Sequence, residues 1–201
     1  MKNVRVLCIA AGMVFAFAVL PSFDSRIFGQ RVRPTKGTAR TVNKTIPVPK
    51  NWDYIYDKKK GYGFYVPSSS VAEGTKVAGI DVMIIDTGAP TNIDIFVLAY
   101  KDKTLTKDDL LDDALAFLEE LGQTVTPGAL HAESDDYAIA DATTVLEDGS
   151  EGRLRILVGT DITDNYIMII GTDPKNFQAN IQTIDTIWGS FEMWSGGASG
   201  N

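Results

Sequence analysis

Two stretches of this sequence carry a helical period, and each is apolar on one face only. Leu110, Leu111, Ala114, Phe117, Leu118 and Leu121 form the first stripe, with Asp112, Asp113, Glu119 and Glu120 largely off it. Thr106 stands where an N-cap belongs, Asp108 and Asp109 complement the positive end of the helix dipole, and Gly122 ends the helix. Phe177, Ile181, Ile184 and Trp188 form the second stripe, opened by Asp173 as N-cap and Pro174 as first helical residue. A one-faced helix must bury its stripe against another element. The remaining chain supplies sheet for that purpose. Trp52–Asp57 and residues 62–66 read as strands around a turn at 58–61, closed by Pro67. Ile80–Asp86 and residues 92–100 read as a second hairpin, and residues 137–146 and 152–159 as a third around Asp148-Gly149. The apolar run at 166–171 reads as a central strand, and residues 190–194 as a last short one. The expectation is one α+β domain over residues 51–194, an antiparallel sheet covered by two amphipathic helices.

The segment ahead of the domain reads as an export signal. Lys2 and Arg5 are followed by 15 residues, VLCIAAGMVFAFAVL, without charge, ended by Pro21 and Ser22. As a helix that run spans roughly 22 Å, against about 30 Å for a bilayer core. The length suits the apolar region of a signal peptide, expected at residues 1–29 with cleavage after Gly29. The mature chain is then exported, periplasmic or secreted, and has no transmembrane span. Cys8, the only cysteine, lies inside the apolar run, where a lipoprotein cysteine would follow it. A mature chain without thiols has no disulfide, no Cys-ligated zinc and no thiol nucleophile. Residues 31–60 hold nine Lys and Arg against two Asp, whereas residues 61–201 hold seven against 23 acids. Residues 30–50 read as a flexible basic linker and 195–201 as a loose tail. The acidic body argues against nucleic acid as a partner.

Gly61-Tyr62-Gly63-Phe64-Tyr65-Val66-Pro67 near the start of the domain, a helix after the second hairpin, and Phe177, Ile181, Ile184, Ile187-Trp188-Gly189-Ser190-Phe191 near its end together resemble the PsbP-like family. That family comprises the extrinsic photosystem II subunit and exported bacterial relatives, and the resemblance spans roughly residues 52–194. It implies an α-β-α sandwich around an antiparallel sheet. It also implies a non-catalytic binding or accessory role, and it brings no catalytic residue set.

Asp86-Thr87-Gly88 after Ile84 and Ile85 matches the aspartic-protease signature, in which two carboxylates share a proton and activate water. Ile169-Ile170-Gly171 resembles the element that supports the catalytic loop there. Retropepsin-like chemistry on one such motif would need a dimer. Asp-Thr-Gly is also ordinary turn chemistry, and that reading is preferred. His131, the only histidine, sits near no G-x-S-x-G motif and reads as a surface or strand-edge residue. Glu147, Asp148 and Glu151 crowd one turn, and Asp161 and Asp164 another. Neither follows the calcium-loop pattern, which leaves a calcium-dependent envelope module as a lesser alternative. Trp52, Tyr54, Tyr56, Tyr62, Phe64 and Tyr65 place rings on both faces of the first hairpin, one face for the core and the other open to a ligand or partner. The sequence therefore points to an exported binding or accessory module whose partner is a protein or envelope component, with no catalytic residues, metal or cofactor.

Overall fold

The strands pair antiparallel, some through hairpins and others across long stretches of chain, and the computed structural model describes residues 6–9, 13–16, 39–41, 46–77, 79–101, 105–146, 148–161 and 164–194. The strands are β1 (Val6–Ile9), β2 (Met13–Ala16), β3 (Ala39–Thr41), β4 (Trp52–Asp57), β5 (Tyr62–Pro67), β6 (Val71–Val77), β7 (Ile80–Asp86) and β8 (Asp94–Lys101). Helix α1 (Lys107–Glu120) follows, then β9 (Thr124–Pro127), β10 (His131–Ala132), β11 (Tyr137–Val145), β12 (Glu151–Asp161) and β13 (Asp164–Thr172). Helices α2 (Pro174–Ala179) and α3 (Ile181–Gly189) and strand β14 (Glu192–Trp194) complete the chain.

An eight-stranded antiparallel sheet runs β10-β11-β12-β13-β8-β7-β6, with β9 pairing with β11 beside β10. A second sheet of four strands runs β3-β14-β5-β4. The large sheet is the middle layer. Its one face packs Val82, Ile84, Phe96, Leu98, Ile156 and Ile169 against Leu110, Ala114, Phe117 and Leu118 of α1. Its other face packs Met83, Ile85, Ile95 and Met168 against α2–α3 and the small sheet, through Phe177, Ile184, Trp188, Phe64 and Met193. β13 is covered on both faces and all nine of its residues are buried, in keeping with the apolar run at 166–170.

Helix α1 begins as its sequence directs. The Thr106 side chain accepts from the Asp109 backbone N–H while the Asp109 carboxylate accepts from the Thr106 backbone N–H, a reciprocal capping box. Gly122, at φ +75°, releases the chain after it. The second amphipathic stripe is two helices where the sequence suggests one. Asp173 caps α2 through Lys175 and Asn176, as expected. Asn180 then leaves helical geometry, and its side-chain amide donates to the Asn176 carbonyl at 3.0 Å and the Thr91 carbonyl at 3.4 Å. A short amide that bonds back to its own backbone competes with helix continuation, so the helix breaks there.

The motifs at the two ends of the domain meet in one ring cluster. Phe191 lies 5.9 Å from Tyr62 and 6.0 Å from Phe64, ring centre to ring centre, with Tyr166 at 5.8 Å and Tyr137 at 6.2 Å. The Tyr166 hydroxyl donates to the carbonyls of Lys60 and Gly61, which fixes the β4–β5 turn to the large sheet.

Within the segment expected as signal peptide, β1 pairs with β2 in an antiparallel ladder, a hairpin where a helical run was expected. The cleavage region and the tail at 195–201 lie outside the described residues, as does most of the basic segment. That segment nevertheless contributes β3, which pairs with β14. No described helix is long and apolar enough to cross a membrane.

Candidate functional site

The Asp-Thr-Gly motif lies at the β7–β8 connection. Asp86 is the last residue of β7, and its Oδ1 accepts the Gly88 backbone N–H at 2.7 Å. This is an Asx turn, the structural use of the motif. Thr87 is fully buried and organises the loop. Its N–H donates to the Ile93 carbonyl at 3.0 Å, its Oγ1 accepts from the Ile93 N–H at 2.9 Å, and its carbonyl accepts from Ser69 Oγ at 2.7 Å. Thr172 Oγ1 on β13 donates to the Asn92 carbonyl at 2.7 Å. The loop is thus tied to the β5–β6 turn, to β13 and, through Asn180, to the junction of α2 and α3.

A second carboxylate stands beside Asp86, and it comes from the same chain. Asp94 opens β8 directly opposite Asp86 in the ladder. Opposed residues of an antiparallel pair point to the same side, with Cβ atoms about 4.5–5.5 Å apart. Asp94 is only 4% exposed, and its Oδ2 is buried without a hydrogen-bond partner. Burial first, and the charge of Asp86 second, push its carboxyl up to about 7. Gly171 lies opposite Asp94 on β13, one strand removed from Asp86, so Ile169-Ile170-Gly171 does border the pair. Peptide hydrolysis needs a cleft in which water and substrate reach both carboxyls. An Asp94 buried at the loop end of the hairpin offers no such approach, and the pair reads as structural chemistry with an unusual proton affinity.

The other sequence candidates are dispersed. His131 is exposed on the two-residue edge strand β10, opposite Ile139. Asp148 is exposed and accepts from the Ser150 N–H and Oγ, which lower its pKa. Glu147 and the side chain of Asp161 lie outside the described residues, whereas Asp164 is buried on β13. Among the described residues no group of three His, Cys, Asp or Glu side chains is placed to hold a metal ion.

The first hairpin divides its rings as expected. Tyr62, Phe64 and Ile55 face the large sheet and join the core. Register puts Tyr54, Tyr56 and Tyr65 on the opposite face, since Tyr54 pairs with Tyr65 while Ile55 pairs with Phe64. Tyr54 belongs to neither apolar cluster. Its ring lies 4.8 Å from Tyr65 and 6.1 Å from Tyr56, and Tyr56 and Tyr65 are half-buried. The Tyr54 hydroxyl donates to Glu192 Oε2 at 3.1 Å diagonally across β5, where Tyr54 stands opposite Tyr65 and Glu192 opposite Gly63. Glu192 is 1% exposed, so an acid closes one side of this aromatic face.

The layers define the class: an α+β sandwich with α1 on one face of an antiparallel sheet and helices on the other. Its fold is that of PsbP. The solution structure of cyanobacterial PsbP from Synechocystis sp. PCC 6803 superposes with a TM-score of 0.59 at 18% identity, covering 73% of this chain and 95% of that one. The Ran-binding protein Mog1p of Saccharomyces cerevisiae superposes with a TM-score of 0.52 at 11% identity, covering 70% of this chain and 94% of that one. No protein-family model matches the chain, and no curated protein matches it in sequence.

Proposed function

We propose that this protein is an exported, non-catalytic accessory module that binds another protein through the outer face of its small sheet. The observation that carries this reading is the Tyr54–Tyr56–Tyr65 face. Tyr54 is buried and stacks the half-buried rings of Tyr56 and Tyr65 into one aromatic surface, and tyrosine is enriched at protein interfaces because one end is apolar and the other polar. The acidic body favours a protein over nucleic acid as partner. One solved protein of this fold is by name a Ran-binding protein, so the fold is compatible with protein recognition. Export rests on the charged start and 15-residue apolar run, and the extrinsic character implied by the PsbP resemblance agrees with it.

The test is site-specific photo-crosslinking in the native host, with a benzophenone amino acid placed at Tyr56 and, separately, at Glu119 on the solvent side of α1. The expected result is a discrete cross-linked protein from position 56 and none from 119. Equal labelling from both positions, or none from 56, overturns the proposal. An intact Asp86→Asn variant settles the protease alternative independently: peptidase activity present in the unaltered protein and lost in the variant would establish it.

A further inference from the structure

Two aspartates directly opposed on adjacent strands repel each other when both are charged. Asp86 and Asp94 are so opposed, and the burial of Asp94 removes the water that would weaken that repulsion. Among the described residues the surroundings supply no counter-charge. On the face they share, β6 presents Val71 opposite Asp86 and Glu73 one step along, β13 presents Gly171, and β12 presents Leu154. Helix α1 packs that face with Leu110, Ala114, Phe117 and Leu118, with Leu121 just after it, and its nearby charged residues, Glu119 and Glu120, are exposed acids. The cations lie elsewhere. Arg153 and Arg155 sit over the Phe177 ring on the opposite face, and Lys76 pairs with Asp81 at the far end of β7.

We propose that the Asp86–Asp94 pair is a proton-operated latch on the β7–β8 hairpin, closed when the two carboxyls share one proton and loosened when both are charged. In the closed form the protonated Asp94 carboxyl donates its O–H to Asp86 Oδ2, since Asp86 Oδ1 already accepts from Gly88. This gives the buried Asp94 Oδ2 the partner it otherwise lacks. Raising the pH transfers that proton to water and leaves two charges in one pocket. Relief requires Asp94 to reach solvent, which means opening the loop at 87–93 and its ties to Ser69, Thr172 and Asn180. The raised proton affinity of Asp94 agrees with this geometry.

The experiment is amide hydrogen exchange of Thr87, Asn92 and Ile93 in the intact protein between pH 5 and 8.5, corrected for intrinsic rates. Opening that ionises Asp94 should become about tenfold easier per pH unit up to about pH 7 and then level off. Asp94→Asn should abolish that slope, and Asp86→Asn should shorten its range. Protection with the same pH dependence in the unaltered protein and in Asp94→Asn overturns the latch. Carboxyl NMR titration of the unaltered protein gives a check that needs no variant: Asp94 titrating near 4, the ordinary range, also overturns it.

Discussion

Replacing Asp94 by Asn should make the protein more stable at pH 8 and leave it nearly unchanged at pH 4. The folded state raises the Asp94 carboxyl from 3.8 to about 7. Between those values the folded protein holds a proton that the unfolded chain has released. The contribution of that proton is therefore fully present below about pH 3.8, declines as pH rises, and is gone above about 7. At about 1.4 kcal/mol for each pH unit the loss sums to about 4 kcal/mol. Asn cannot titrate, keeps the shape, and offers Asp86 an N–H donor in place of the carboxyl O–H. For a domain of this size each kcal/mol moves the melting temperature by about 2–4 °C, so the variant should gain on the order of 10 °C over the unaltered protein between pH 4 and 8. The assay is thermal melting by circular dichroism at half-unit pH steps for both proteins, read as the difference between them. The difference cancels groups that titrate alike in both. A difference flat from pH 4 to 8 would refute the reasoning, as would one that grows toward acid.

Two further perturbations test packing elsewhere in the fold. Leu118 is fully buried between α1 and the large sheet, so Leu118→Ala should cost about 2–5 kcal/mol in denaturant unfolding, whereas the half-buried Leu111→Ala should cost clearly less; equal losses would mean that α1 does not dock on that face. A Cβ added at Gly159 would sit 2.8 Å from two ring atoms of the buried Tyr137, so Gly159→Ala should destabilise by about 1–3 kcal/mol, while Gly74→Ala, with nothing within 4 Å, should stay within about 0.5 kcal/mol.

The strand that escapes sequence reading shows what periodicity detects. β6 reads VAEGTKV, and four of its seven residues, Ala, Glu, Gly and Lys, are poor strand formers. It sits at the sheet edge, where one side is solvent and a polar strand is an advantage against pairing with other chains. The buried β13 is legible for the opposite reason: both faces are covered, so its middle, residues 166–170, is apolar on both. β9 and β10 are too short to carry a period, and they share a single edge of β11. The break at Asn180 is hidden because Phe177, Ile181, Ile184 and Trp188 keep one face through it. The Asn180 amide bonds both to the Asn176 carbonyl within its own turn and to the Thr91 carbonyl, 89 residues away, and the second partner comes only with the fold.

Asp94 was open to the same kind of argument and is the most instructive omission. In a strand, Asp94, Phe96 and Leu98 share a face, as do Asp86, Ile84 and Val82. Strict alternation therefore sets an acid on each apolar face, both at the loop end of one hairpin. An acid there is either turn chemistry or a buried charge. The local motif explains Asp86 fully, because Gly88 follows it at Asx-turn spacing. It explains nothing about Asp94, which lies against Gly171 of β13, a strand supplied from elsewhere in the chain. What matters at the Asp-Thr-Gly motif, beyond its turn, is the register that sets Asp86 against Asp94, since a one-residue slip would send one of the two carboxylates to the opposite face.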